Sequence, residues 1–464
     1  MYGEIIETKQ GKDVGAFYAC PGLTLFATWG DGPIRAMHEY AGTAELFVVS
    51  GNTLFGQGAA HDTPISLGNI GPPGTAWSFN PKTQAFAQIT LPFEIPASFN
   101  SDTVTIVDNS VELGIFVGIS ASEQDGFVLA NQPGTYNIYQ SDLLDLTSWD
   151  ALNFGAASGH SDTIVALAQI HLETFVLLTT NTEIWINAGT PGFAFQRLQG
   201  VFIEAGCVAQ ASVVKAGEEL MWLGRNREGH GVVVRLRGYQ PIRVSTHMIE
   251  REIQSYSRMD DAVGYAYQQE GHLFYVLNFP TGNATWVYDV TASEQAGIPM
   301  WQQRASFAGG AFSRHWGNCY ALLAADPVGL NLVGDYRNGN IYQFDLNAQL
   351  DNGTQRKFLR SWRALPKPSE DPVTFSSLRI DMQTGVGVPD GTDPLCVLRW
   401  SDDGGHTWSN ERVAHVGKTG ETARRVKFNR LGSTRRNSGL DRIFEWSSTD
   451  QFGIALIGAE LEAG

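Results

Sequence analysis

A short strand motif returns along this chain at nearly constant spacing, and that repeat restricts the fold more than any other feature. A turn-like polar pair leads into a strand mixing apolar and aromatic residues, centred on Leu54, Phe86, Ile138, Ile184, Val233, Trp286 and Ile341. The intervals, by subtraction, are 32, 52, 46, 49, 53 and 55 residues; all but the first cluster near 50. In an all-β chain, a period of about 40–50 residues marks a propeller with one four-stranded blade per repeat. Each blade buries its faces only against its neighbours, so the ring must close. The expected fold class is therefore all-β, a β-propeller followed by a small C-terminal β-sandwich. Two stacked sandwiches with accidental spacing are the alternative.

Composition agrees with a β-rich chain. The 464 residues include 51 glycines and are 43% hydrophobic and 11% aromatic, enough for a real core. Only 17% are charged, below the usual ~25%, so much of the surface is neutral and cheap to desolvate in subunit contacts. Two stretches read as helical: 143–152, "LLDLTSWDAL", and 245–257, "STHMIEREIQSYS". The second offers Ser245 or Thr246 as N-cap and Met248, Ile249 and Ile253 as an apolar face.

The repeat stops near "SWRALPKPSEDP", whose three prolines read as a linker. The expected division is an N-terminal extended segment with the first strands over 1–40, a propeller over 41–362, a linker over 363–372 and a sandwich over 373–464. Strands of the last part include "TFSSLRIDMQ", "LCVLRW", "RRVKFNRLG", "RIFEWSS" and "FGIALIGAEL". Charge divides unevenly. Residues 411–442 hold nine Lys or Arg and three acids, a balance of +6, which leaves −22 for the rest of a chain at −16 overall. Such acidity argues against simple coating of nucleic acid, though not against an acidic channel through which DNA slides.

One motif raises the question of chemistry. "WSDDGGHTWSNE" contains an Asp-box, Ser401, Asp403, Gly405, Thr407 and Trp408, a hairpin signature best known from sialidase propellers. In such a hairpin Ser and Asp accept backbone N–H bonds, Gly allows positive φ and Trp packs beneath, so every role is structural. The motif occurs once, outside the expected propeller, whereas sialidase-like propellers repeat it. No nucleophile elbow, phosphate loop or His-Glu-x-x-His motif appears. Acid pairs such as Asp260–Asp261 sit in turn or cap contexts. Cys20, Cys207, Cys319 and Cys396 are far apart and read as inert thiols. No catalytic, cofactor-binding or metal-binding residue is assigned, and no cofactor is expected. The start lacks an apolar signal region, and no run approaches the ~18 apolar residues of a membrane span.

The basic stretch, Arg424, Arg425, Lys427, Arg430, Arg435 and Arg436, is the candidate contact surface. It has the charge to touch phosphates, but the acidic remainder of the chain offers a neighbouring subunit as the favoured partner.

An ordered series of segments adds a resemblance. "PGLTLFATWGDGPIRAM", "TEIWINAGTPGFAFQRLQGVFIEAGCVA", "EGHLFYVLNFPTGNATWVYD" and "LRWSDDGGHTWSNER" follow one another over about residues 20 to 455. In this the chain resembles the packaged-DNA stabilisation, or tail hub (nozzle), proteins of short-tailed bacteriophages. The resemblance implies a non-enzymatic virion protein of the phage tail, assembled in the host cytoplasm. It implies a ring, usually a hexamer, below the portal and adaptor that continues the DNA channel, retains packaged genome and guides its ejection. Implied partners are further copies of the chain, the head–tail adaptor, tail fibre, spike or needle proteins, and double-stranded DNA passing without sequence recognition. Family members generally carry a segment ahead of the equivalent of "YGEIIETKQGKDVGAFYACPGL", a block in which this sequence almost begins. Roles of that segment, such as adaptor docking or closing the last blade, are therefore not carried over. A sialidase-like enzyme or a glycan-binding module remains the alternative function.

Overall fold

The computed structural model describes all residues except 7–13, 41–44, 59–62, 97–100, 160–161, 227–228, 325–328, 365–372, 435–441 and 464. Two compact units interleave in sequence: one comprises 25–305 and 314–344, the other 1–24, 306–313 and 345–464.

The larger unit is a propeller. Among the described residues seven antiparallel blades follow one another. Their innermost strands are Ile34–Tyr40, Val104–Asp108, Ala121–Gln124, Ile164–Ile170, Val214–Ala216, Val263–Gln269 and Gly317–Leu323. Each neighbours the next, and the last lies against the first, so the ring closes.

The repeat in the sequence corresponds to one position in the blade. Leu54, Ile138, Ile184, Val233, Trp286 and Ile341 all fall on the third strand outward. Phe86 does not; it lies on the outermost strand, Ala85–Ile89. In that blade the chain enters at the third strand, Ala76–Asn80, and returns later to lay down the two inner strands, Val104–Asp108 and Leu113–Val117. This reordering accounts for the short first interval.

The core is divided into wedges between blades. Trp29, Ile34, Val48 and Leu332 pack between the seventh and first blades. Tyr40, Phe47, Phe79 and Ile115 fill the next gap, and Phe175, Ile184, Trp222 and Val234 join the fourth and fifth. Burial of each large side chain contributes about 1.5–3 kcal/mol, available only once its neighbour is in place. The ring is sealed at the seventh blade, where Gly22–Thr28 lies beside Asn340–Asp345. There the Trp29 amide donates to the Gly339 carbonyl at 2.7 Å, and the Thr28 hydroxyl bonds Asn340 at 2.8 Å.

The second unit is a β-sandwich. One sheet orders Tyr2–Ile6, Val14–Tyr18, Ala455–Ala463, Phe375–Met382 and Val426–Asn429. The other orders Phe358–Arg363, Ile443–Ser448, Leu395–Ser401 and Arg412–His415. Phe375, Leu378, Leu398, Phe428, Phe444 and Trp446 are buried between them. All five strands anticipated in this part are present; most of the proline-rich stretch, 365–372, lies outside the described residues.

Two local expectations are corrected. Residues 143–152 are not helical: Asp145–Ala156 is a twelve-residue strand entered through Leu144 at φ +58°. The leucines mimic a helical stripe, yet only Leu146 is buried while Leu152 is 80% exposed. The second helix exists as His247–Ser255, capped by Thr246 with Ile249 and Ile253 inward, but Met248 is 83% exposed. A further helix, Val290–Ala296, went unread, although Asp289 caps it and Gly297 ends it in the left-handed region.

Candidate functional site

The Asp-box forms the turn between strands Leu395–Ser401 and Arg412–His415. The Ser401 hydroxyl donates to Asp403 at 2.7 Å and accepts the Gly405 amide at 2.8 Å. Asp403 accepts the Thr407 amide at 2.8 Å and hydroxyl at 2.6 Å. Gly405, at φ +99°, occupies a conformation that a Cβ would strain. The bonds from Thr407 and Ser401 hold the exposed Asp403 carboxyl well below the usual carboxylate range. It therefore stays ionised and is a poor proton donor. Trp408 is half-buried, and the Arg399 guanidinium lies 4.5 Å from its ring centre. Arg399 in turn pairs with Glu445 at 2.6 Å. The carboxylate, hydroxyls and indole are thus engaged within the hairpin and its sheet.

The basic stretch borders the edge strand Val426–Asn429. Val426 and Phe428 point inward by strand alternation, while Lys427 faces solvent with Arg424, Arg425 and Arg430. Arg424 pairs with Glu421 at 3.0 Å. Arg430 takes φ +58° as the chain leaves the strand. Arg435 and Arg436 lie outside the described residues.

A third location was not identified in the sequence. The propeller encloses a central cavity of about 1300 Å³ lined by Arg35, Arg258, Arg314, Tyr265, Tyr336 and Asp261, among others. Arginines, tyrosines and carboxylates together are what a sialidase mouth requires. These arginines are already engaged. Arg35 donates to the Gly51 carbonyl at 3.1 Å and the Asp102 carbonyl at 2.6 Å. Arg258 grips Asp260 with two bonds, 2.7 and 3.1 Å, and Arg314 lies 3.6 Å from the Tyr336 ring centre. Asp261 accepts from the Thr281 amide at 2.8 Å. Burial pushes the Tyr265 hydroxyl well above the usual tyrosine range, opposite to what a nucleophile needs. Only spatial convergence of seven blades could reveal this cavity; its residues have no shared sequence motif.

Fold and sites together define a β-structural protein whose polar clusters brace turns and blades. The chain matches the family model described as "Bacteriophage P22 Gp10, beta-propeller" over residues 4–349 and that described as "Bacteriophage P22 Gp10, beta-sandwich" over 362–463. It belongs to this family of short-tailed phage tail proteins, and is a structural component of the virion. No curated protein matches it by sequence search. Among solved structures, a chain of a mitotic checkpoint complex is similar at 10% identity and TM-score 0.38, over 71% of this chain and 94% of that one. The extracellular domain of a hybrid two-component system from B. thetaiotaomicron is similar at 11% identity and TM-score 0.41, over 92% of this chain and 58% of that one.

Proposed function

We propose that the protein is a tail hub, or nozzle, placed below the portal and adaptor as a ring of copies, a hexamer, around the tail axis. It continues the DNA channel, retains packaged genome and guides ejection. It contacts the head–tail adaptor and fibre, spike or needle proteins, and it catalyses no reaction. The observation carrying this reading is that propeller and sandwich, in that order, both match one family of structural tail proteins.

Two physical arguments support and refine it. The cavity inside one propeller is walled by side chains such as Arg35, Arg258, Arg314 and Tyr336, whereas the major groove of B-DNA alone is ~12 Å wide. In this reading the duplex runs between copies and not through a propeller. A chain at −16 also gives that passage a non-stick wall, because phosphates within a Debye length of ~8 Å are repelled.

The test is genome retention. Phage particles assembled without this protein are treated with nuclease, and protected DNA is measured. The hub reading expects heads that fill and then leak, with retention restored by adding the purified protein. Stably filled heads in its absence contradict it.

A further inference from the structure

One blade edge differs from the others. The outermost strands Pro64–Asn69, Ala85–Ile89, Phe195–Arg197, Gln240–Arg243 and Met300–Gln303 have three to six residues, whereas Asp145–Ala156 of the third blade has twelve. Its register against Asn137–Asp142 shifts twice, and the amides of Leu146, Thr147 and Leu152 are taken by Glu112, Asp145 and Asp150, so this edge offers projecting side chains and not an open ladder. This strand contains neither Lys nor Pro. It exposes Leu152 and Phe154, and the preceding turn exposes Leu143 and Leu144. Phe154 packs on Tyr139 at 5.6 Å and Tyr139 on Phe93 at 4.9 Å, extending the apolar strip across the blade. Exposed Asp142, Asp145 and Asp150 surround it. Each accepts a local hydrogen bond, from Ser148, Thr147 and Leu152 respectively. Among the described residues none of the three has an ion-pair partner.

The sandwich presents the complementary composition. Its edge strands Arg412–His415 and Val426–Asn429 lie near one another. They and the adjoining turns expose Arg412, Arg425, Lys427 and Arg430, together with Val413. Among the described residues none of these four cations is ion-paired.

We infer that the acidic, apolar edge of the third blade in one copy receives the basic flank of the sandwich of a second copy of this chain. This rests on the ring reading above and names the surfaces that build the ring. Two acidic edges repel one another, as do two basic flanks, so like does not pair with like. Arranged head to tail, such a contact is heterologous, the type that closes into a ring when the rotation permits. Opposed charges set the register while the exposed leucines and Phe154 supply area to bury.

Charge swapping in the full-length protein tests this, with self-association followed by sedimentation velocity. Arg425→Glu with Lys427→Glu, or Asp145→Lys with Asp150→Lys, is expected to weaken assembly at least about tenfold. All four substitutions in one chain restore attraction and bring assembly within about threefold of wild type. Thermal melts verify that each variant is folded, since all four side chains are exposed. A double variant that assembles like wild type overturns this contact while leaving the ring reading intact. So does a folded fourfold variant that stays dissociated while wild type assembles. A wild-type chain that stays monomeric at every concentration also overturns this contact, whereas particles with no ring of copies around the tail axis overturn both.

Discussion

Arg442 and Asp402 are joined by a two-pronged ion pair, Nε to Oδ1 at 2.6 Å and Nη2 to Oδ2 at 2.7 Å, across 40 residues of sequence. Arg442 is 1% exposed, also donates to the Leu431 carbonyl at 2.9 Å, and lies 4.6 Å from the Phe375 ring centre. Asp402 is partly open to solvent. Asp402→Asn leaves a buried cation uncompensated and is expected to destabilise the sandwich by about 3 kcal/mol. Arg442→Met removes the cation and leaves a carboxylate that water can reach, at about 1–2 kcal/mol. Urea denaturation measures both; the opposite order contradicts this account of the pair.

The Asp403 carboxyl is depressed by bonds it accepts from Thr407 and Ser401. A group whose folded pKa is lowered stabilises the fold above its unfolded pKa and loses that contribution as pH falls through the folded value. The hairpin should therefore remain braced through the range in which ordinary aspartates titrate and loosen only in stronger acid. Amide exchange at Thr407 as a function of pH measures this. Loosening with the midpoint of an ordinary carboxylate sinks the assignment.

Closure of the propeller depends on Gly339. A Cβ there would collide with the carbonyl oxygens of Gly30 and Trp29, at the point where the Trp29 amide bonds the Gly339 carbonyl. Gly339→Val is expected to cost about 3 kcal/mol and to raise proteolysis of the propeller while leaving the sandwich melt in place. Unchanged propeller stability contradicts closure by this strand.

Burial pushes the Cys207 and Cys319 thiols up to about 12 and Cys396 up to about 11. At pH 8 they remain protonated and poorly nucleophilic. A thiol-specific reagent should label the buried Cys207 and Cys396 only after denaturation, and the partly exposed Cys319 slowly, as read by mass spectrometry. Rapid labelling of any of them in native protein contradicts their packing.

The sequence revealed what local physics encodes. Turn chemistry and alternation marked third strands at Leu54, Ile138 and Ile341, because every blade needs an apolar strand there. The reordered second blade was hidden, since Phe86 and Phe79 look alike locally and only tertiary pairing tells outer strand from third. Leu143, Leu144 and Leu152 simulated a helix because spacing alone does not register that they are exposed. Strand Tyr2–Ile6 gave no sign of which sheet it joins, as that choice is a long-range pairing. The Asp-box was legible because its bonds span four residues; the central cavity was not, because it gathers residues from the whole ring.

Electron cryo-microscopy of phage particles that contain this protein tests the hub reading most directly. The account predicts a symmetric ring of copies below the adaptor, the DNA path running between copies and the propeller bores free of duplex. Copies lying off the tail axis, or a chain that is monomeric and missing from particles, would contradict it.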